Sequence, residues 1–155
     1  MPLRVQETLN MINMRTITNV FIDTNVFVAL EDENDSTHKR AIQLSEFLLN
    51  QHNVKFYTSS EVISETLTVI SRKLGKEVAK KFVSKHKNSH MIDIFFDEFL
   101  YRKTLNSYLK LRQKSISFVD CSNVVIMKKY KIKYIFSFDE DFKKMGVELL
   151  GDAVK

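Results

Sequence analysis

Thr18-Asn19-Val20-Phe21-Ile22-Asp23-Thr24-Asn25 decides how the chain is read. A run of β-branched and aromatic residues ends abruptly at an aspartate and two polar residues, the pattern of a short buried strand running into a polar turn. Working outward, Val26 to Leu30 reads as a short helix. From Asp35 to Asn50 the apolar positions Ala41, Ile42, Leu44, Phe47 and Leu48 have helical spacing, with Asp35 or Ser36 as the expected cap. Val54 to Tyr57 is a second strand. Ser59 or Ser60 opens a strong helix through Val62, Ile63, Leu67, Val69 and Ile70, and Gly75 stops it. Lys76 to His86 is a basic amphipathic helix, and Met91 to Phe96 a third apolar run.

A long helix is expected from Asp97 to Gln113, with Leu100, Thr104, Leu105, Tyr108 and Leu111 facing inward. Phe118 to Tyr130 is another helix, Tyr134-Ile135-Phe136 a fourth strand, and Val147-Glu148-Leu149 a last one. Short apolar strands alternating with helices imply an α/β fold with a central parallel sheet of about five strands covered by helices. In such sheets the working residues gather beyond the carboxyl ends of the strands.

The 155 residues suit one domain, and 44 % hydrophobic with 28 % charged residues is an ordinary globular profile. Cys121 is the only cysteine, so no internal disulfide forms, which fits a reducing, cytoplasmic setting. No apolar run reaches the length of a membrane span, and Met1 to Arg15 lacks a signal peptide's apolar core. Residues 1–16 read as a flexible tail, 17–151 as the domain and 152–155 as a second short tail; Met11 and Met14 leave a later start open. The net charge of +5 suits a polyanionic partner as well as it suits simple solubility.

Four acidic residues are candidates for chemistry. Asp23 and Asp139 each follow a strand, Asp120 sits in the first turn of a helix, and Glu65 lies within the helix opened at Ser60. Each has a plain structural explanation: three could cap helices, and Glu65 could face solvent. Together they carry more weight. Apolar residues surround them, no adjacent lysine or arginine neutralises Asp23, Asp120 or Glu65, and clustered carboxylates near a core are costly unless a cation joins them. The hard divalent ions Mg²⁺ and Mn²⁺ prefer such oxygen donors.

The runs Phe21-Ile22-Asp23-Thr24-Asn25, Ser60-Glu61-Val62-Ile63-Ser64-Glu65, Phe118-Val119-Asp120 and Ser137-Phe138-Asp139-Glu140-Asp141-Phe142 resemble, in order, the four motifs of PIN domains. Asp35-Ser36-Thr37-His38 before Ala41 also resembles a segment found in that family. The resemblance covers about Val20 to Leu150 and is greatest to compact members, including the toxin subunits of VapBC-type toxin–antitoxin pairs. It implies a three-layer PIN-like fold with the first strand at the centre of the sheet. It also implies a metal-dependent ribonuclease with Asp23, Glu65, Asp120 and Asp139 as its catalytic set. Asp23, Asp120 and Asp139 would be the metal ligands, and Asn25, Ser137 and Asp141 supporting residues. Glu61, one turn before Glu65, is an alternative for the helix glutamate. The implied partners are RNA, one or two Mg²⁺ or Mn²⁺ ions, a small antitoxin and a second copy of the chain.

Arg72, Lys73 and Lys76 open a basic segment continued by Lys80, Lys81, Lys85 and Lys87. Lys128, Lys129, Lys131 and Lys133 form another, with Lys143 and Lys144 near the last motif. Both could hold a phosphate backbone or simply face solvent. His38, His52, His86 and His90 are scattered and read as capping or surface groups, with His38 a candidate brace for the first loop. Phe27, Phe47 and Leu48 could serve an interface, although packing in the core is the expected fate. Three glycines cannot build a nucleotide-binding loop, and Thr24 and Asn25 stand where a phosphoryl-aspartate enzyme needs a second acid. A non-catalytic PIN-like RNA-binding or scaffold module is the competing reading.

Overall fold

A computed structural model describes residues 17–154; the tail expected at 1–16, and Lys155, lie outside the described residues. The elements are β1 (Asn19–Ile22), α1 (Thr24–Glu31), α2 (His38–Leu49), β2 (Lys55–Ser59), α3 (Ser60–Lys73), α4 (Lys76–Lys87), β3 (Ile92–Ile94), α5 (Glu98–Tyr108), α6 (Phe118–Tyr130), β4 (Tyr134–Phe136), α7 (Asp141–Lys144), β5 (Glu148–Leu149) and α8 (Leu150–Ala153). The strands form one five-stranded parallel sheet in the order β3-β2-β1-β4-β5, with helices flanking it.

The sheet is short because its strands need only span the core. Val20, Phe21 and Ile22 are all buried, and Tyr134, Ile135 and Phe136 likewise. Side chains alternate faces along a strand, so burial of consecutive residues means that both faces are covered. That accounts for the unbroken apolar run before Asp23. In register, Ile22 stands beside Phe136, and the Asp23 amide donates to the Phe136 carbonyl at 3.1 Å. The carboxyl ends of β1 and β4 are thereby level, which places Asp23 beside Ser137.

Helix ends follow the local chemistry, with some departures from expectation. Ser59 caps α3 through Val62 N at 3.2 Å. Beyond α3, Gly75 takes φ +98°, a conformation that a side chain would strain. α2 starts at His38, later than the expected Asp35, and neither Asp35 nor Ser36 is its cap. Asp35 Oδ1 instead accepts from Thr37 N and Thr37 Oγ1 and shapes the turn before it. α5 ends at Tyr108 rather than Gln113. Its carbonyls are closed by tight turns, Lys110 N to Ser107 O and Leu111 N to Tyr108 O.

Burial on α5 also differs from the expectation. Leu100 and Thr104 are fully buried against α6, whereas Leu105 and Tyr108, expected inward, are 37 % and 42 % exposed, and Leu111 is only partly covered. At the other end, the tail expected at 152–155 is instead structured through Val154. α8 runs to Ala153, and Ala153 and Val154 pack on the core. Phe27 and Leu48 are core residues, and Phe47 is partly buried against them. Among the described residues no helix is long and apolar enough to cross a membrane.

Two substitutions test this core. Phe21→Ala, at a fully buried ring in the central strand, should cost about 3–5 kcal/mol by urea unfolding. Leu105→Ala should stay within about 0.5 kcal/mol of the parent. A large loss at Leu105 would mean that α5 buries a wider face than described.

Candidate functional site

The polar knot starts from a carboxylate with nowhere to go. Asp23 follows a buried strand and is only 4 % exposed. Three side chains donate to it: Ser137 Oγ to Oδ2 at 2.8 Å, Asn25 Nδ2 to Oδ2 at 3.0 Å and Asn123 Nδ2 to Oδ1 at 3.2 Å. Asn25 ties the knot further. Its amide also donates to Ser137 Oγ at 2.9 Å, and its Oδ1 accepts from Phe138 N at 3.2 Å. Ser137 Oγ accepts in turn from Asp139 N at 3.1 Å. The turns after β1 and β4 are thus held together by side chains.

Asp23, Glu65, Asp120 and Asp139 line a single cleft of about 620 Å³ at the carboxyl ends of the strands, together with Thr24, Asn25, Val28, Asp35, Thr37, Val69, Lys73 and Phe138. Each acid is fixed locally. Thr24 Oγ1 donates to Glu65 Oε2 at 2.6 Å, which binds the start of α1 to the middle of α3. Asp120 forms a capping box with Ser117 and so does what its position at a helix start suggests, while still facing the cleft. Asp139 Oδ1 accepts from Asp141 N at 2.9 Å. Among the described residues none of the four is in an ion pair with lysine, arginine or histidine.

Electrostatics single out Asp23. Burial pushes its pKa from the ordinary 3.8 up to about 7, opposed by the hydrogen bonds from Ser137 and the Thr24 backbone and reinforced by the nearby charges of Asp120 and Glu65. A carboxylate in such a place is stabilised by any cation that reaches it.

The donor chemistry, hard carboxylate oxygens around a desolvated acid, fits Mg²⁺ or Mn²⁺. Among the described residues no three His, Cys, Asp or Glu side chains stand close enough to hold one ion together. An ion taken by one or two of these carboxylates, with water completing its shell, suits that spacing and is the usual habit of Mg²⁺.

Other residues singled out from sequence fall apart from the four. Asp141 is outside the cleft. It pairs with Lys144, and hydrogen bonds from Lys144 and Ser115 hold its pKa below the ordinary carboxylate range. Glu61 does not line the cleft either. Lys73 does, and pairs with Asp32 at 3.5 Å and Asp35 at 3.9 Å, whereas Arg72 and Lys76 lie in a separate shallow hollow with Thr68 and Ser71. His38 braces the first loop, its Nδ1 lying 2.6 Å from the Ala29 carbonyl. His86 packs on Phe82 and pairs with Asp93.

Sequence reasoning missed Asn123 and Thr24. Asn123 is fully buried in α6, and its Oδ1 has no hydrogen-bond partner among the described residues. Turning that amide over would present Oδ1 to a protonated Asp23. Its only sequence signal is a carboxamide three residues after Asp120, among apolar neighbours.

A parallel sheet with carboxylates gathered at its strand ends defines a class of acidic-cleft α/β domains, and comparison narrows it. The model of the PIN domain matches residues 20–148, and the chain belongs to that family. The 23S rRNA-specific endonuclease VapC20 of Mycobacterium tuberculosis is 24 % identical over 127 residues, covering 82 % of this chain and 94 % of that protein. The crystal structure of VapC20, a Sarcin-Ricin loop cleaving toxin, superposes with a TM-score of 0.75 at 23 % identity, over 83 % of this chain and 95 % of that one. VapBC2 from Rickettsia felis, bound to a DNA fragment from its promoter, gives 0.61 at 17 % identity over 84 % and 96 %. FitAcB from Neisseria gonorrhoeae gives 0.59 at 18 % over 84 % and 95 %. These likenesses confirm the fold.

The raised Asp23 pKa has a measurable consequence. Between pH 3.8 and about 7 the folded chain retains a proton that the unfolded chain has lost, so the contribution of Asp23 to stability declines as pH rises through that window. Asp23→Asn lacks this group. In EDTA its stability relative to the parent should climb across the window, by roughly 4 kcal/mol at most, as read from urea midpoints. A difference that does not change with pH would contradict the burial of a titrating carboxyl.

Proposed function

We propose that this chain is a Mg²⁺- or Mn²⁺-dependent endoribonuclease, the toxin of a toxin–antitoxin pair. The observation that carries the reading is the convergence of Asp23, Glu65, Asp120 and Asp139 on one cleft, with no basic side chain among the described residues paired to any of them. The 23S rRNA specificity in the name of VapC20 supports RNA as the polymer. The likeness to VapBC2 of Rickettsia felis supports a toxin–antitoxin setting, and with it a small antitoxin partner. A homodimer and a cytoplasmic location complete the proposal.

In this reading Asp23, Asp120 and Asp139 would supply the ion's ligands, one or two of them directly and the rest through water. A bound divalent ion lowers the pKa of water and neutralises charge developing on a phosphodiester. The chain's own residues do the rest. Ser137, Asn25 and Asn123 fix the Asp23 carboxylate in one orientation, so little reorganisation is needed when charge arrives. Thr24 holds Glu65 over the cleft, where it can orient a water or accept its proton. Lys73, at the rim, offers a cation to a substrate phosphate, and Arg72 and Lys76 extend that cation row along the surface. Asp141 supports the last turn through the hydrogen bond that its backbone N–H donates to Asp139 Oδ1.

A second reading, a scaffold or RNA-binding module without catalysis, has one observation on its side: no preformed three-ligand cluster exists among the described residues. Two measurements on the same preparations separate the readings. Mn²⁺ or Mg²⁺ should raise the parent's melting temperature with concentration, and Asp23→Asn should blunt that shift. The parent should cut RNA only with the ion present, and Asp23→Asn should cut at least a hundredfold more slowly, the loss expected when an ion-holding group is removed. Parental cleavage by the variant, or no metal response in the parent, would favour the scaffold.

A further inference from the structure

Exposed rings gather beside the cleft in a place the proposed chemistry does not use. Tyr101 is 49 % exposed and Tyr108 42 %, and both rings lie against Phe118, at centroid distances of 6.2 and 5.8 Å. Phe96 joins the group, 6.2 Å from Phe118 and 6.3 Å from Tyr101. Two links connect this group to the cleft. Phe118 begins α6 two residues before Asp120, and Phe96 N donates to Ser60 Oγ at the start of the helix that carries Glu65.

The segment joining α5 to α6, residues 109–117, brings positive charge to the same edge. It carries Lys110, Arg112 and Lys114, all exposed and none in an ion pair among the described residues. It meets the last motif outside the cleft, where the Ser115 side chain hydrogen-bonds Asp141, whose amide in turn donates to Asp139. Charge is concentrated here. Residues 95–133 hold nine of the chain's 24 basic residues and only three of its 19 acidic ones, so the remainder is close to neutral. Lysines also lie over ring faces in this region: Lys129 is 4.6 Å from the centre of Phe99 and Lys103 5.7 Å from it.

Which partner suits this chemistry follows from its mixture. Rings with a charged rim also suit a protein interface, but the excess of nine basic over three acidic residues in 95–133 favours a polyanion. Single-stranded nucleic acid wants this combination, rings for its bases and cations for its phosphates. We propose that Tyr101, Tyr108 and Phe118, with Lys110, Arg112 and Lys114, form a base-stacking subsite that holds single-stranded RNA beside the bond to be cut. The inference rests on the ribonuclease reading and extends it to a substrate feature: unpaired nucleotides flanking the scissile phosphate.

The test uses the full chain in EDTA with a labelled 12-nucleotide single-stranded RNA, read by fluorescence anisotropy. Tyr101→Leu and Tyr108→Leu should each weaken binding roughly tenfold with an unchanged salt slope. Tyr101→Trp and Tyr108→Trp, which keep a ring, should bind like the parent. Arg112→Gln should reduce the salt slope by about one. The chain has no tryptophan, so its tyrosine emission is directly visible and should fall as RNA binds. Thermal melting checks that each variant is folded, and the tryptophan pair preserves the comparison if leucine disturbs packing. Parental affinity in both leucine variants overturns the subsite. So does a leucine variant that halves the mass in solution while binding RNA normally, which would make this face a self-association surface. If the parent cleaves RNA but the rings do not matter, only the subsite fails; if the parent neither binds nor cleaves RNA, the underlying reading fails with it.

Discussion

A carboxylate is buried at the end of the central strand, and most of the local structure answers that one cost. Asp23 is nearly shut off from bulk water, 4 % exposed at the end of a strand that is covered on both faces. Leaving such a group unpartnered would cost several kcal/mol. The fold meets this with three neutral donors, Ser137, Asn25 and Asn123, rather than with a lysine or arginine. Neutral donors orient the carboxylate without cancelling its charge. What remains is a fixed negative site, weakly basic by burial, that faces a cleft lined by three more acids.

The parallel sheet makes this arrangement possible. With β1 at the centre and β4 beside it, the turns after both strands emerge at the same level, and α3 and α6 bring Glu65 and Asp120 to that end. Residues up to 114 positions apart meet through single hydrogen bonds there. The same fold brings the α5–α6 segment toward this end, because Phe118 opens α6 two residues before Asp120. In the proposed reading, acid at the centre would hold an ion for the reacting phosphate and nearby cations would hold its neighbours.

Much of this was legible in the sequence, because the strongest signals are local. The switch from Phe21-Ile22 to Asp23 marks a strand end, Ser59 or Ser60 a helix start, and Asp120 the first turn of α6. The order of four short acidic motifs then implied the fold. The less legible parts depend on which way a side chain points. Asn123 reads as an ordinary helix residue until α6 is docked against β1, and the Thr24–Glu65 bond depends on how α1 meets α3. Helical spacing placed Leu105 and Tyr108 inward with Leu100. α5 buries only a narrow stripe, so the outer part of its apolar face was mistaken for core. Asp141 stood in the last motif as a supporting residue beside Asp139, and its pairing with Lys144 and Ser115 turns it away from the cleft.

The central claim, that Asp23 and its acidic neighbours take up a divalent ion, is tested most directly by anomalous diffraction from crystals grown with Mn²⁺. The account predicts a strong anomalous peak in the cleft about 2.0–2.3 Å from an Asp23 carboxylate oxygen. Asp120 or Asp139, directly or through water, should complete the shell. A cleft without such a peak, or manganese bound elsewhere while Asp23 stays wholly engaged by Ser137, Asn25 and Asn123, would contradict it.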